Sequence, residues 1–140
     1  MRVVLDTNIL ISAFISRNGL PYQCLKYRED RYQLVTSTWQ IEEIRDVASR
    51  AELRPLLKRA EVGTLINELR SKAVLLDKLP TVNYSPDPDD NNVIASAIAG
   101  EADYIVSGDK DDVVALDKVE GIKVLTAREF VGLFDKSFSR

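Results

Sequence analysis

Short apolar segments alternate with longer amphipathic ones along the chain, and this alternation limits the available folds more than any other feature. Apolar runs at 2–5, 33–36, 73–76, 104–107 and 122–125 have the length of buried strands. Between them, apolar residues recur at helical spacing. Strands that alternate with helices favour parallel pairing with right-handed crossovers. We therefore expect an α/β fold, an α/β/α sandwich around a central parallel sheet.

Helical segments are predicted from apolar periodicity and from the polar residues that precede it. They span about 9–15, 21–31, 39–51, 61–72, 90–100, 112–116 and 127–134. The segment Asp6 to Asn8 offers capping chemistry for the first helix, and Asn8 itself is a candidate cap. Ser37 or Thr38 can cap the third helix. A polar segment with three prolines, at 77–89, is the longest irregular stretch.

The size and composition of the chain favour one globular unit. Its 140 residues suit a single domain, which we expect to span 1–140. An apolar fraction of 45% and a charged fraction of 29% are ordinary for such domains. Asp6 ends the first apolar run, so this run is too short for a signal segment or a membrane span. The expected location is therefore cytoplasmic.

The chain contains no histidine and a single cysteine, Cys24. Ser-His-Asp catalysis, cysteine-histidine pairs and the usual zinc sites are therefore excluded. Cys24 cannot form an internal disulfide and is expected to pack within a helix. Carboxylates remain in quantity, since Asp and Glu total 22 against 19 Lys and Arg. Oxygen ligands of this kind suit Mg²⁺ or Mn²⁺.

Four acids are predicted to meet at one edge of the sheet. Asp6 and Asp109 each follow a predicted strand, and ligands bind beyond the carboxyl ends of parallel strands. Glu43 and Asp90 lie near the starts of helices that begin on the same edge. Carboxylates so close together repel one another unless a cation lies among them. One or two divalent ions there could activate a water and offset the charge that develops on a phosphodiester.

The same acids also have structural explanations. Glu43 and Asp90 suit a helix N-terminus, where a negative charge contributes about 0.3–1 kcal/mol. Asp109 suits a turn, and so does Asp111. Asp6, directly after a buried strand, is harder to explain by structure alone.

Four segments taken together resemble the signature of the PIN domain family. They are 3–12 (VVLDTNILIS), 42–47 (EEIRDV), 87–91 (DPDDN) and 102–111 (ADYIVSGDKD), and they occur in the family's order across nearly the whole chain. The subgroup that the chain most resembles is the PIN-family toxins of toxin–antitoxin pairs. The resemblance implies a metal-dependent endoribonuclease that hydrolyses RNA with a metal-activated water and leaves a 5′-phosphate and a 3′-hydroxyl.

The resemblance also implies roles for individual residues. The implied catalytic metal ligands, for Mg²⁺ or Mn²⁺, are Asp6, Glu43, Asp90 and Asp109. Asn8 and Ser107 would orient these ligands, and Asp111 would be an outer ligand. Ser107 stands where the family usually has threonine, and it retains the hydroxyl group.

Two of these assignments have close competitors. Glu42 neighbours Glu43, but only Glu43 precedes an aliphatic residue in the manner of the family's acid. Asp87, Asp89 and Asp90 compete for the third position. We prefer Asp90 because it lies closest to the apolar face of the following helix.

A group of basic residues follows the second acid: Arg45, Arg50, Arg54, Lys58 and Arg59. Such a strip could contact RNA phosphates, and a solvated helix face explains it equally well. The net charge of −3 argues against a protein that coats nucleic acid without specificity.

Two other functions compete with the nuclease. One is a catalytically silent PIN-like binding module that acts within a protein complex. The other is a magnesium phosphatase with an aspartyl nucleophile, but such enzymes have Asp-x-Asp after the first strand and this chain has Asp6-Thr7-Asn8. Beside the RNA substrate, the resemblance implies an antitoxin protein and a second copy of the chain as partners.

Overall fold

The computed structural model describes residues 1–108 and 116–138. Its strands are β1 (Arg2–Leu5), β2 (Gln33–Ser37), β3 (Val74–Leu76), β4 (Tyr104–Ser107), β5 (Lys118–Val119) and β6 (Ile122–Thr126). Its α-helices are α1 (Thr7–Ile15), α2 (Leu20–Lys26), α3 (Thr38–Ala48), α4 (Arg59–Lys72), α5 (Pro88–Ala99) and α6 (Ala127–Gly132). Short 3-10 turns span Tyr27–Glu29 and Lys136–Phe138. Within these residues, no helix has both the length and the apolar character needed to cross a bilayer.

The strands form one sheet in the order β3-β2-β1-β4-β6-β5. All neighbouring strands are parallel except β5 and β6, which pair antiparallel. The predicted parallel sheet is confirmed, with one antiparallel edge strand added. The strand order reverses direction at β1, because β2 lies on one side of it and β4 on the other. A crevice at such a reversal is where ligands bind in open parallel sheets.

Helices cover both faces of the sheet, so the predicted α/β/α sandwich is confirmed. Val3 and Leu5 of β1 face a cluster formed with α1, α2, α3, α4 and α6. Val4 faces the opposite cluster, which contains Val93 and Ile94 of α5. Successive residues of a strand point to opposite faces, so a fully apolar strand can fill both layers at once.

Several boundaries differ from the predicted ones for local reasons. Helix α1 begins at Thr7, two residues earlier than predicted, because the cap is Asp6: its Oδ1 accepts the backbone N–H of Asn8 at 2.9 Å. The interpretation of Asn8 as the cap is therefore wrong. Ser37 caps α3 as predicted and accepts the N–H of Gln40 at 3.1 Å. Strand β5 was not predicted, since two residues are too few to show periodicity.

Three further predictions concern the end of α2, the burial of Cys24 and the segment 112–116. Helix α2 ends at Lys26, five residues earlier than predicted, because the chain continues as the 3-10 turn. Cys24 is fully buried within α2, as expected. The predicted helix at 112–116 falls almost entirely outside the described residues.

Gly100, at the end of α5, is required by a close approach. A Cβ there would lie 2.6 Å from Cγ1 of Val35, and Val35 is fully buried and stiff about χ1. We expect Gly100→Ala to lower the free energy of unfolding by about 1–3 kcal/mol through overpacking. Urea denaturation followed by circular dichroism measures this change.

Gly63 provides the matched control, because it lies on the exposed side of α4 and a Cβ there meets nothing within 4 Å. Gly63→Ala should raise the free energy of unfolding by about 0.5–1 kcal/mol, since alanine restricts the unfolded chain. Equal effects of the two substitutions would contradict the packing argument.

Candidate functional site

A small polar cavity of about 140 Å³ lies beyond the carboxyl end of β1. Its described lining includes five carboxylates: Asp6, Glu43, Asp87, Asp89 and Asp90. Three of the four predicted ligands, Asp6, Glu43 and Asp90, are thus brought together from three separate elements. The fourth, Asp109, lies outside the described residues, and so does Asp111.

Asp6 is held on both of its carboxylate oxygens. Its backbone N–H donates to the carbonyl of Val106 at 2.9 Å, which extends the pairing of β1 with β4 by one residue. Oδ1 accepts the N–H of Asn8, and Oδ2 accepts the hydroxyl of Ser107 at 2.7 Å. Asp6 is only 7% exposed. The hydrogen bond from Ser107 is the one that the sequence resemblance implied.

Helix α3 is anchored to β1 by a buried glutamine one turn before Glu43. Gln40 donates from Nε2 to the carbonyl of Leu5 at 2.8 Å and accepts a hydrogen bond from the hydroxyl of Thr36. This contact fixes the start of α3 against the last residue of β1. Glu43, three residues further along the helix, is thereby directed toward the cavity that Asp6 lines.

Glu43 lies in an environment that disfavours its charged form. Its pKa is raised from 4.5 to about 7: burial is the largest cause, the nearby carboxylates of Asp89 and Asp87 add to the increase, and a hydrogen bond from the hydroxyl of Thr7 opposes it. Neighbouring like charges and desolvation act in the same direction on an acid. A cation in the cavity would instead lower the pKa of Glu43, because it favours the charged carboxylate.

The three acids at the start of α5 have different surroundings. Asp87 caps the helix, and its Oδ1 accepts the N–H of Asp89 at 2.9 Å. Asp90 is 8% exposed, and its Oδ2 accepts the hydroxyl of Ser85 at 3.1 Å. Asn91 holds the preceding loop, since its Oδ1 accepts the N–H of Ser85. All three acids line the cavity, so each stays a candidate ligand.

The preference for Glu43 over Glu42 as a metal ligand agrees with the surroundings of the two side chains. Glu42 is exposed and forms an ion pair with Arg45, with 2.7 Å between Oε1 and the guanidinium nitrogen. Glu43 is half-buried and lines the cavity.

The donor chemistry of the cavity fits Mg²⁺ or Mn²⁺, because every acidic group there offers hard oxygen atoms. Within residues 1–108 and 116–138, however, no group of three acids is arranged to hold a metal ion. The described carboxylates therefore do not form a complete centre by themselves.

Sequence reasoning missed two residues of the site, Thr7 and Ser85, and it named Arg50 only as one of several possible phosphate contacts. Thr7 and Ser85 donate their hydroxyls to Glu43 and Asp90, respectively. Arg50 is the basic residue within the described lining of the cavity. Thr7 could have been found from its position beside Asp6. No sequence signal marks Ser85, whose contact depends on the path of the loop before α5.

The basic residues that follow Glu43 divide between two places. Arg50 lies in the acidic cavity, whereas a separate and larger cavity is lined by Arg45, Arg54, Lys58 and Arg59. They do not form one continuous strip.

The protein is an α/β/α sandwich with acids gathered where the strand order reverses, and comparison with known proteins identifies its family. The sequence matches the PIN domain over residues 2–111, so the chain belongs to the PIN domain family, whose members are generally nucleases. The uncharacterized protein MJ1680 of Methanocaldococcus jannaschii is 32% identical over 148 residues, which cover 99% of this chain and 95% of that protein.

The fold is also similar to that of a solved structure. A chain in the crystal structure of VapBC2 from Rickettsia felis, bound to a DNA fragment from their promoter, matches with a TM-score of 0.60 at 15% identity. The match covers 90% of this chain and 98% of that chain. At this identity the likeness shows the fold alone.

The raised pKa of Glu43 predicts a pH-dependent stability in EDTA. The folded protein keeps the Glu43 proton between pH 4.5 and about 7, where the unfolded chain releases it. The stabilisation is therefore fully present below pH 4.5 and is lost as the pH rises through about 7. Glu43→Gln, which stays neutral, should gain stability relative to wild type over this range in urea denaturation.

Glu42→Gln is the control, because Glu42 is exposed. Its stability difference from wild type should not follow the pH dependence expected for Glu43→Gln. A difference between Glu43→Gln and wild type that stays constant from pH 4.5 to about 8 would show that Glu43 is not perturbed.

Proposed function

We propose that this chain is a metal-dependent endoribonuclease that hydrolyses RNA phosphodiester bonds, with one nuclease domain over residues 1–140. The observation that carries the proposal is the meeting of Asp6, Glu43 and Asp90 in one polar cavity. These acids come from separate elements, so their convergence depends on the whole fold. Membership of a family of nucleases supports the same function.

The proposed ligands of Mg²⁺ or Mn²⁺ are Asp6, Glu43, Asp90 and Asp109, with Asp111 further out. When bound, a divalent cation supplies charge that offsets the carboxylates and the developing phosphate charge, and it lowers the pKa of a water. Water is the proposed nucleophile, with no covalent intermediate. The products would carry a 5′-phosphate and a 3′-hydroxyl.

The surrounding groups position these acids. Ser107 and the N–H of Asn8 hold the two oxygens of Asp6, so its carboxylate has a fixed orientation. The hydroxyl of Thr7 does the same for Glu43. Arg50 lines the same cavity, and we propose that its planar guanidinium group donates hydrogen bonds to phosphate oxygens.

We further infer that the protein is the toxin of a toxin–antitoxin pair and acts in the cytoplasm, with an antitoxin protein and a second copy of the chain as partners. The sequence resemblance to PIN-family toxins supports this, and so does the likeness of the fold to a chain of VapBC2.

The alternative is a catalytically silent PIN-like binding module within a protein complex. The acidic cavity argues against it. Five carboxylates in about 140 Å³ repel one another, and a module that only binds a partner gains nothing from this arrangement.

The nuclease proposal is tested with purified protein and labelled RNA in Mn²⁺, Mg²⁺ or EDTA. We expect cleavage only with a metal, and Asp6→Asn should reduce the rate at least about 100-fold, because changes even to groups that merely support ligands cost about 10–100-fold. Circular dichroism should show that this variant remains folded.

Asp46→Asn is the matched control, since Asp46 is an exposed acid of α3 outside the described lining of the cavity. Its cleavage rate should equal that of wild type. Absence of both cleavage and calorimetric metal binding in wild type would reject the nuclease in favour of the binding module.

A further inference from the structure

The loop before α5 is fastened to the helix by the side chain of Asn91. Its Oδ1 accepts the backbone N–H groups of Tyr84 and Ser85, each at 2.9 Å. Its Nδ2 donates to the carbonyl of Ser85 at 2.8 Å. One amide near the start of the helix therefore binds both main-chain polar groups of Ser85. This set of bonds requires an acceptor and a donor on the same short side chain, which asparagine has and aspartate lacks.

With its backbone held by Asn91, Ser85 directs its hydroxyl to Asp90. The Oγ of Ser85 donates to Oδ2 of Asp90 at 3.1 Å and accepts the backbone N–H of Asp87 at 3.2 Å. A serine hydroxyl has a single proton, and the N–H of Asp87 occupies one of its lone pairs, so the proton points to Asp90. Both Ser85 and Asp90 are buried, so water competes little for this bond.

The other buried acid of the site is held in a similar way. Oδ2 of Asp6 accepts the hydroxyl of Ser107, just as Oδ2 of Asp90 accepts that of Ser85. The two other acids at the start of α5 are exposed. Asp90 therefore resembles Asp6 in having a carboxylate whose orientation is restricted by a buried hydroxyl, as is typical of metal ligands in proteins.

We propose that Asn91 is a positioning residue: it fixes Ser85, and through Ser85 it orients the carboxylate of Asp90 for a divalent cation. This inference rests on the proposed function, because it takes Asp90 as a ligand that α5 contributes. Groups that hydrogen-bond to a ligand orient it and so affect the affinity for the metal. Asn91 lies outside the described lining of the acidic cavity, so its effect on a bound cation passes through the groups that it holds.

The test measures Mn²⁺ binding to the full chain by calorimetry, without RNA, for wild type, Asn91→Ala, Ser85→Ala and the double variant. Each single substitution should weaken the affinity about 10–100-fold, the usual effect of removing a group that supports a metal ligand. The double variant should bind no more weakly than the weaker single variant, because both substitutions remove the same support from Asp90. Multiplied effects in the double variant would overturn the proposal, since Asn91 would then act independently of Ser85.

Two control variants separate positioning from general damage to the helix. Asn92→Ala removes the neighbouring asparagine of α5, which lies outside the described lining of the cavity. Gly100→Ala disturbs the other end of α5 by overpacking. Both variants should bind Mn²⁺ with the affinity of wild type, although Gly100→Ala lowers the unfolding midpoint in urea. A decrease in affinity for Gly100→Ala equal to that for Asn91→Ala would overturn the proposal, since lost stability would then explain both.

A charge-matched pair of variants tests Asn91 even if its alanine variant does not fold. Asn91→Asp replaces the amide donor by a carboxylate oxygen that faces the carbonyl of Ser85, so that hydrogen bond is lost. Asn92→Asp adds the same charge one residue further along the helix. Asn91→Asp should bind Mn²⁺ roughly tenfold more weakly than Asn92→Asp, because only Asn91→Asp releases the support of Asp90. Equal affinities of the two variants would contradict the positioning role.

The outcomes also separate this inference from the nuclease. Coupled effects on Mn²⁺ affinity in a protein that does not cleave RNA support the role of Asn91 and reject only the nuclease. RNA cleavage and Mn²⁺ binding that are both unchanged in Asn91→Ala overturn only the positioning role. If wild type binds no Mn²⁺, both proposals fail.

Discussion

Mutual repulsion among carboxylates at the end of β1 is the constraint around which the rest of the site is organised. Asp6 and Asp90 are almost fully buried, and Glu43 shares their cavity with two further acids. Buried charges of one sign are tolerated when hydrogen bonds or cations compensate them. Hydroxyl groups of Ser107, Thr7 and Ser85 provide such bonds, one to each of these three acids. The elements that carry these hydroxyls therefore belong to the site as much as the acids do.

The class of fold could be predicted because each strand and helix is indicated by features of its own short segment of sequence. Each parallel strand is an apolar run, and each described helix that was predicted shows its own periodicity, so the class of fold and most element positions follow from short windows of sequence. The order of strands is not local: β1 pairs with β4, about a hundred residues away, and no residue in either strand encodes that choice. Strand β5 could not be predicted for a related reason: its two residues form a strand only because they pair with β6.

The site could be predicted in part for the same reason. Asp6 is recognisable because it directly follows a buried strand, whereas Ser107 is identified through the resemblance to the PIN domain family. The contacts of Thr7 with Glu43 and of Ser85 with Asp90 depend on helix orientation and on the loop before α5, which sequence spacing does not specify. Spacing also cannot separate Asp87, Asp89 and Asp90, because a helix N-terminus places all three near the cavity. The role of each acid therefore remains a prediction.

Acidic and basic side chains line separate cavities, although the net charge of the molecule is only −3. A cavity of carboxylates repels the phosphates on which it would act, so attraction must come from elsewhere on the surface. Further basic side chains beside Arg50 in the acidic cavity would neutralise the acids and compete with a metal ion for them. Arg45, Arg54, Lys58 and Arg59 line the second, larger cavity instead, which avoids this conflict. Contacts made away from the reacting bond can then hold the substrate against the repulsion at the acids.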